Sequence, residues 1–391
     1  MRRIILFIVL MAAFNGMQSQ TTDSLKQDTY RLYIEALDHI SAYQFDSALG
    51  ILSECYIREP ENIDYLSRIA YCHTQLGRFR DAKMYYNKIL KLDSLNTIAI
   101  SSLGSLYEKE LNYVTAREYY GSLIEIDTSN SYYFKRNGYL ALRVDKPLEA
   151  LGHFLRAHRL NDKDLEVIDM LCSIYLALNT YDPVENLLQK GLNLDGKNIK
   201  LLQTQARLRQ KRNDHAGVVE SIEKTMVQGD TSDYYQMMLG VAYLKIDSVA
   251  KSIEHLTAIV ERGEGTEHTH HYLGLAYLER EEFDSSTMHL EKAIELGVSQ
   301  KMGTYHADLG QVMQTQYKYK KAIAHYEQAY VYSEDPEHLF LLARNCDLYY
   351  KDKRIANKYY RRYLATGDGK FRQYTNDRLK QLREIIHFQG N

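Results

Sequence analysis

LGSLYEKELNYVTAREYYGSLIEID, residues 103–127, holds two short amphipathic patterns joined by a turn. Gly104 stands in the first pattern, Ala116 opens the second, and Tyr120 follows four residues later. A step of four keeps Ala116 and Tyr120 on one face of a helix. A small residue facing a bulky one across the turn describes two helices packed closely side by side.

The same arrangement recurs along the chain. The small residue of the second pattern returns at Ala48, Ala82, Ala116, Ala150, Val184, Val218, Ser252 and Ser286, always 34 residues on. It then steps by 36 to Ala322 and by 34 to Ala356, which places two extra residues near Gly297–Met302. Twelve residues earlier in each unit stand Ala36, Ala70, Gly104, Gly138, Cys172, Ala206, Gly240, Gly274, Gly310 and Arg344. Four residues after each small position comes a large one: Leu52, Tyr86, Tyr120, Phe154, Leu188, Ile222, Leu256, Leu290, Tyr326 and Tyr360. The period is 34 residues, and ten phased units span residues 29–368.

Turns fall between the paired patterns, where Phe45, Phe79, Tyr113, Tyr181, Phe283 and Tyr319 stand. Asp46, Asp182 and Asp284 follow directly and are expected to cap the second helix. Pro183 fits a first-turn position, and Pro60, Pro147 and Pro336 fall in predicted turns. After the last unit, Phe371, Tyr374, Leu379, Leu382 and Ile386 recur at helical spacing among Arg372, Arg378, Lys380 and Arg383. Residues 369–391 are therefore read as a helix that caps the open end of the array, with a partner-docking helix as the alternative.

Residues 103–127 and LGLAYLEREEFDSSTMHLEKAIELG, residues 273–297, resemble the tetratricopeptide repeat family. The resemblance covers nearly all of residues 29–368 and implies an all-α fold: a right-handed α-solenoid of about ten helix–turn–helix repeats with a carboxyl-terminal capping helix. The chain has no Trp where the family pattern carries one, and the family's terminal Pro survives as Pro60. The first, sixth and tenth units depart most from the pattern, the tenth through Arg344.

The amino terminus has a different character. Arg2 and Arg3 precede an apolar run from Ile4 to Phe14, and polar and small residues follow to Gln20. That order describes a secretory signal peptide over residues 1–19, followed by a polar linker over residues 20–28. The run is shorter than the roughly 18 residues a membrane span requires. The mature chain is expected to be exported without an integral membrane span, to a periplasm rather than to the medium.

Charge narrows the partners further. Lys and Arg number 49 against 51 Asp and Glu, a net charge of −2, which argues against nucleic acid as a partner. Cys55, Cys72, Cys172 and Cys346 each occupy a position where other units hold a small apolar residue. They are read as packing residues, with Cys55–Cys72 the only pair close enough in sequence for neighbouring helices to bring together readily. His153, His255, His289 and His325 share one second-helix column with Tyr85, Tyr119 and Tyr359, a structural column of flat side chains. His268, His270 and His271 form an H-x-H-H cluster that could ligate a metal, though no zinc-type spacing accompanies it. Phosphate-binding, zincin, nucleophile-elbow and dinucleotide motifs are missing, so the sequence points to a non-enzymatic protein with no cofactor.

What remains is a recognition surface. The first helices of such an array line its concave groove, and the residues expected there are Tyr71, Tyr132, Lys135, Tyr139, Arg143, Gln203, Arg207, Met237 and His271. Tyr and Arg suit a protein or peptide partner, and the stretch from Lys135 to Lys211 adds positive charge. Two alternatives stand beside this scaffold reading: an envelope glycan or peptidoglycan stacked on the tyrosines, and a metal-dependent protein built on His268–His271. The family's chaperone-tail clamp is not reproduced by Ser67, Tyr71, Ser101 and Ser105.

Overall fold

The computed structural model describes residues 25–298 and 300–389. The signal peptide over residues 1–19 and the start of the linker lie outside the described residues. By its internal contacts the chain forms two units, Met1–Pro183 and Val184–Asn391.

The first unit contains α1 (residues 25–41), α2 (Phe45–Arg58), α3 (Ile63–Gln75), α4 (Phe79–Leu92), α5 (Thr97–Lys109), α6 (Tyr113–Ile126), α7 (Ser131–Arg143), α8 (Pro147–Leu160) and α9 (Leu165–Ala177). The second begins within α10 (Tyr181–Leu194) and continues through α11 (Ile199–Lys211), α12 (His215–Val227), α13 (Asp233–Lys245), α14 (Val249–Glu261), α15 (Glu267–Glu279) and α16 (Phe283–Leu296). It ends with α17 (Met302–Thr315), α18 (Tyr319–Ser333), α19 (Pro336–Tyr349), α20 (Lys353–Ala365) and α21 (Arg372–Gln389). There are 21 helices and no strand among the described residues. The architecture is the all-α solenoid of helix–turn–helix repeats, with a terminal helix, that the repeat pattern predicts.

Linker residues 25–28 prove to be helical. Asp28 accepts from Arg31 at 2.8 Å and from Arg58 of α2 at 3.1 Å, which ties the extra turn of α1 to its neighbour.

The repeat columns have the packing roles expected of them. Ala48, Ala82, Ala116 and Ala150 are fully buried, and so are Leu52 and Phe154. Gly138 lies so close to Phe154 that a β-carbon there would sit 3.0 Å from the ring. In the tenth hairpin the column slips by one residue: Arg344 is exposed and Ala343 is fully buried.

Helix ends account for the period as much as the core does. Each of the first nine hairpin turns carries one residue in the left-handed region: Tyr43, Gly77, Leu111, Asp145, Asn179, Asn213, Asp247, Glu281 and Tyr317. At Leu111 the Leu111 amide donates to the Glu108 carbonyl and the Asn112 amide to the Tyr107 carbonyl, both at 2.9 Å. This paired closure satisfies two carbonyls that would otherwise end unpaired.

The turn aromatics Phe45, Phe79, Tyr113, Tyr181, Phe283 and Tyr319 are the first residues of their helices. Asp46, Asp182 and Asp284 consequently lie inside the first turn instead of capping it, with Gln44 and Glu282 at two of the cap positions. Their charge still opposes the positive end of the helix dipole. Pro147 and Pro336, expected in turns, each start a helix, where the missing N–H costs nothing.

Five consecutive first helices share one capping column. Asn62, Asn96, Asn130, Asp164 and Asn198, each 34 residues from the last, accept from the opening amides of α3, α5, α7, α9 and α11. The aspartates of the preceding turn brace two of these caps: Asp93 accepts from Asn96 at 3.1 Å and Asp195 from Asn198 at 3.3 Å.

Candidate functional site

A partner surface must be made of side chains that the packing does not consume. Tyr71 on α3 is 38% exposed, with its ring edge-on to Phe45 at 6.1 Å. Tyr132, the second residue of α7, is 47% exposed and sits edge-on to Tyr120 and Tyr133. Arg143 at the end of α7 is exposed, its guanidinium 5.7 Å from the centre of the Tyr113 ring. These three present aromatic and cationic surface from first helices of the first unit.

The other expected groove residues are engaged. Lys135 donates to Asp164 at 2.9 Å and to Glu166 at 3.2 Å. Burial works against its charge, but these two carboxylates raise its pKa overall. Tyr139 packs edge-on against Phe154 at 5.2 Å, and burial raises its phenol pKa. Gln203 donates to Asp230 at 2.8 Å, and Arg207 donates to Thr204 at 2.7 Å. Met237 packs against the core of Leu256, Ile259 and Leu273. His271 is buried, with Nε2 2.6 Å from a carboxylate oxygen of Asp308.

Part of the positive charge between Lys135 and Lys211 is taken up by ion pairs. Arg136 pairs with Glu108, and Arg209 with Glu220 at 2.8 Å. Just beyond the stretch, Arg212 pairs with Glu185 at 2.7 Å. Several of the counter-charges stand about one repeat away in sequence, where a reading of local charge does not find them. A cleft of about 500 Å³ among α10, α11 and α12 is lined by Glu185, Gln189, Gln205, Arg209 and Arg212. Both of its guanidiniums are already used in these pairs.

The H-x-H-H cluster diverges. His268 Nδ1 lies 2.7 Å from the Tyr305 hydroxyl, and His270 Nδ1 lies 2.9 Å from His289 Nδ1. With His271 against Asp308, the three imidazoles face three different partners. Among the described residues no three His, Cys, Asp or Glu side chains form a metal-ligand group.

All four cysteines are free and buried. The Cys55 thiol points to the Thr29 carbonyl at 3.7 Å, while Cys72 packs in the core with Ile69 and Leu52. Burial raises the Cys72 thiol to about 11 and the Cys346 thiol to about 12, which keeps both protonated and unreactive near neutral pH.

One column had a visible signal that the sequence reading did not use. Side chains twelve residues apart stack across four of the hairpins: His73 on Tyr85, Tyr107 on Tyr119, Tyr243 on His255 and Tyr277 on His289, with ring centroids 5.5 or 5.6 Å apart. The sixth hairpin holds Arg209 and Ser221 at these two positions. Arg209 there donates to the Gly217 carbonyl at 2.7 Å.

The tetratricopeptide repeat family model matches residues 63–94, which comprise α3 and α4. No curated protein matches the chain by sequence. Among solved structures the chain is similar to a tetratricopeptide repeat protein from Parabacteroides merdae, at 16% identity and TM-score 0.47, over 64% of this chain and 98% of that one. It is also similar to pilF of Pseudomonas aeruginosa, at 18% identity and TM-score 0.44, over 53% and 95%. A further similarity is to YrrB, described as a TPR protein with an unusual peptide-binding site, at 18% identity and TM-score 0.41, over 46% and 93%. α1–α20 fall into ten phased helix–turn–helix units, and the pair α3–α4 among them is matched by the tetratricopeptide repeat family model.

Proposed function

We propose that this chain is a non-enzymatic scaffold of the bacterial cell envelope that docks a protein or extended peptide on its first-helix faces. The fold is one that generally serves protein–protein interaction. The observation that carries the reading is the exposure of Tyr71, Tyr132 and Arg143, while neighbouring tyrosines and cations of the same helices are consumed by packing or ion pairs. Tyr and Arg combine large contact area with hydrogen-bonding capacity, which suits them to anchor a partner. The repeats over residues 29–368 would offer such anchors on their first helices, and the basic, then apolar, order of residues 1–19 supports export.

Two measurements test this. Affinity capture from the exported proteome, with Tyr132→Ala plus Arg143→Ala as the comparison, should lose the specific partner. A partner retained at full yield by that variant rejects the first-helix assignment. For location, the mature amino terminus should lie near Gln20 in the periplasmic fraction; an intact Met1 in the cytoplasm rejects export.

A further inference from the structure

The site between the two helices of a hairpin is apolar in the second and third repeats: Leu66 opposite Tyr85, and Ile100 opposite Tyr119. The same two columns hold His270 and His289 in the eighth repeat, and His306 and His325 in the ninth. His270 Nδ1 and His289 Nδ1 lie 2.9 Å apart, with the two residues 8% and 9% exposed. His306 Nδ1 and His325 Nδ1 lie 3.3 Å apart. Aromatic rings cover both pairs: Tyr277 stacks on His289 at an interplanar angle of 3°, and Tyr332 stacks on His306 at 6°.

Two facing nitrogens make one hydrogen bond when one of them carries a proton and the other a lone pair. When both carry protons, two donors oppose each other in a buried site and the contact breaks. The charges facing the first pair are Lys292, which opposes protonation, and Glu295, which favours it. Lys321 opposes protonation of His325 in the second pair. Among the described residues none of these four histidines forms an ion pair, whereas His271, on another face of α15, sits against Asp308.

We propose that the hairpins α15–α16 and α17–α18 form an acid-labile segment, in which protonation of the two facing histidine pairs, one buried and one half-buried, opens these two repeats while hairpins with an apolar site stay folded. Burial lowers the pKa of all four histidines, that of His289 to about 4. An unfolded histidine titrates near 6.5, so between pH 6.5 and about 4 the open form binds more protons than the closed one. Stability is complete above pH 6.5 and is lost progressively as pH falls through that window.

The test is hydrogen exchange on the intact chain at pH 7.5 and pH 5.0, with each rate divided by its intrinsic chemical rate. A histidine as depressed as His289 should lower protection of residues 267–333 by about 30-fold at pH 5.0. Protection of α5–α6, which contains no histidine, should change little. Replacing the pairs with their counterparts from the second repeat, through His270→Leu, His289→Tyr, His306→Leu and His325→Tyr, should abolish the difference. An equal loss in both segments of the native chain overturns the proposal, and so does a variant that keeps the selective loss. The comparison within the native chain decides the matter if the variant does not fold.

Discussion

Replacing Gly274 with Ala probes a close helix–helix contact in the eighth hairpin. A β-carbon on Gly274 would lie 2.6 Å from Leu290 Cγ and 3.3 Å from the Leu290 backbone nitrogen. The two helices cannot slide apart freely, because Ser286 donates to the Gly274 carbonyl at 2.7 Å. Overpacking of this kind costs roughly 2–3 kcal/mol. Exchanging Gly for Ala inside a helix returns about 1 kcal/mol of propensity. Gly274→Ala should therefore destabilise the chain by about 1–2 kcal/mol net. Leu290→Ala alone should cost about 3 kcal/mol through the cavity it leaves. In that background the clash is gone, so adding Gly274→Ala should stabilise by about 1 kcal/mol. Urea denaturation of the four proteins, followed by circular dichroism and tyrosine fluorescence, measures the cycle. An equal cost of Gly274→Ala in both backgrounds would refute close packing as the reason for glycine in this column.

Other outcomes follow from particular side chains. Asn96→Ala should cost about 1 kcal/mol in denaturation, since it removes the cap on the Ala99 amide, whereas Ser232→Ala should cost less because Ser232 makes no such bond. Gly77→Ala should destabilise by about 1 kcal/mol and Leu111→Gly should not, because both positions are left-handed; a reversed order in thermal melts would contradict the turn geometry. Arg378→Ala should loosen α21 by about 2 kcal/mol, since Arg378 makes two hydrogen bonds to buried Asp347, and limited proteolysis should then release the carboxyl-terminal helix early.

The fold was legible because it is written ten times. Small and bulky columns that mark Ala116 and Tyr120 in one unit are averaged over the others, so one degenerate unit does not hide the period. Ends of helices were less legible. The left-handed residue that closes each turn belongs to neither helix, and it places Phe45, not Asp46, at the first helical position. The capping column Asn62, Asn96, Asn130, Asp164 and Asn198 recurs every 34 residues in the sequence and could have been read from it.

The groove was the least legible part. Lys135 and Arg136 read as free positive charge until Asp164 and Glu108, from adjacent repeats, close on them. An exposed Tyr132 and a half-buried Tyr139 are only seven residues apart on α7, and the sequence alone assigned both to the same surface.

The central claim is that first-helix faces carry the partner. Hydrogen exchange of the intact chain with and without its captured partner tests it most directly. Added protection should fall on α3 and α7, around Tyr71, Tyr132 and Arg143, and leave the second helices α4, α6 and α8 unchanged. Protection on α4, α6 and α8 with none on α3 and α7 would contradict the account.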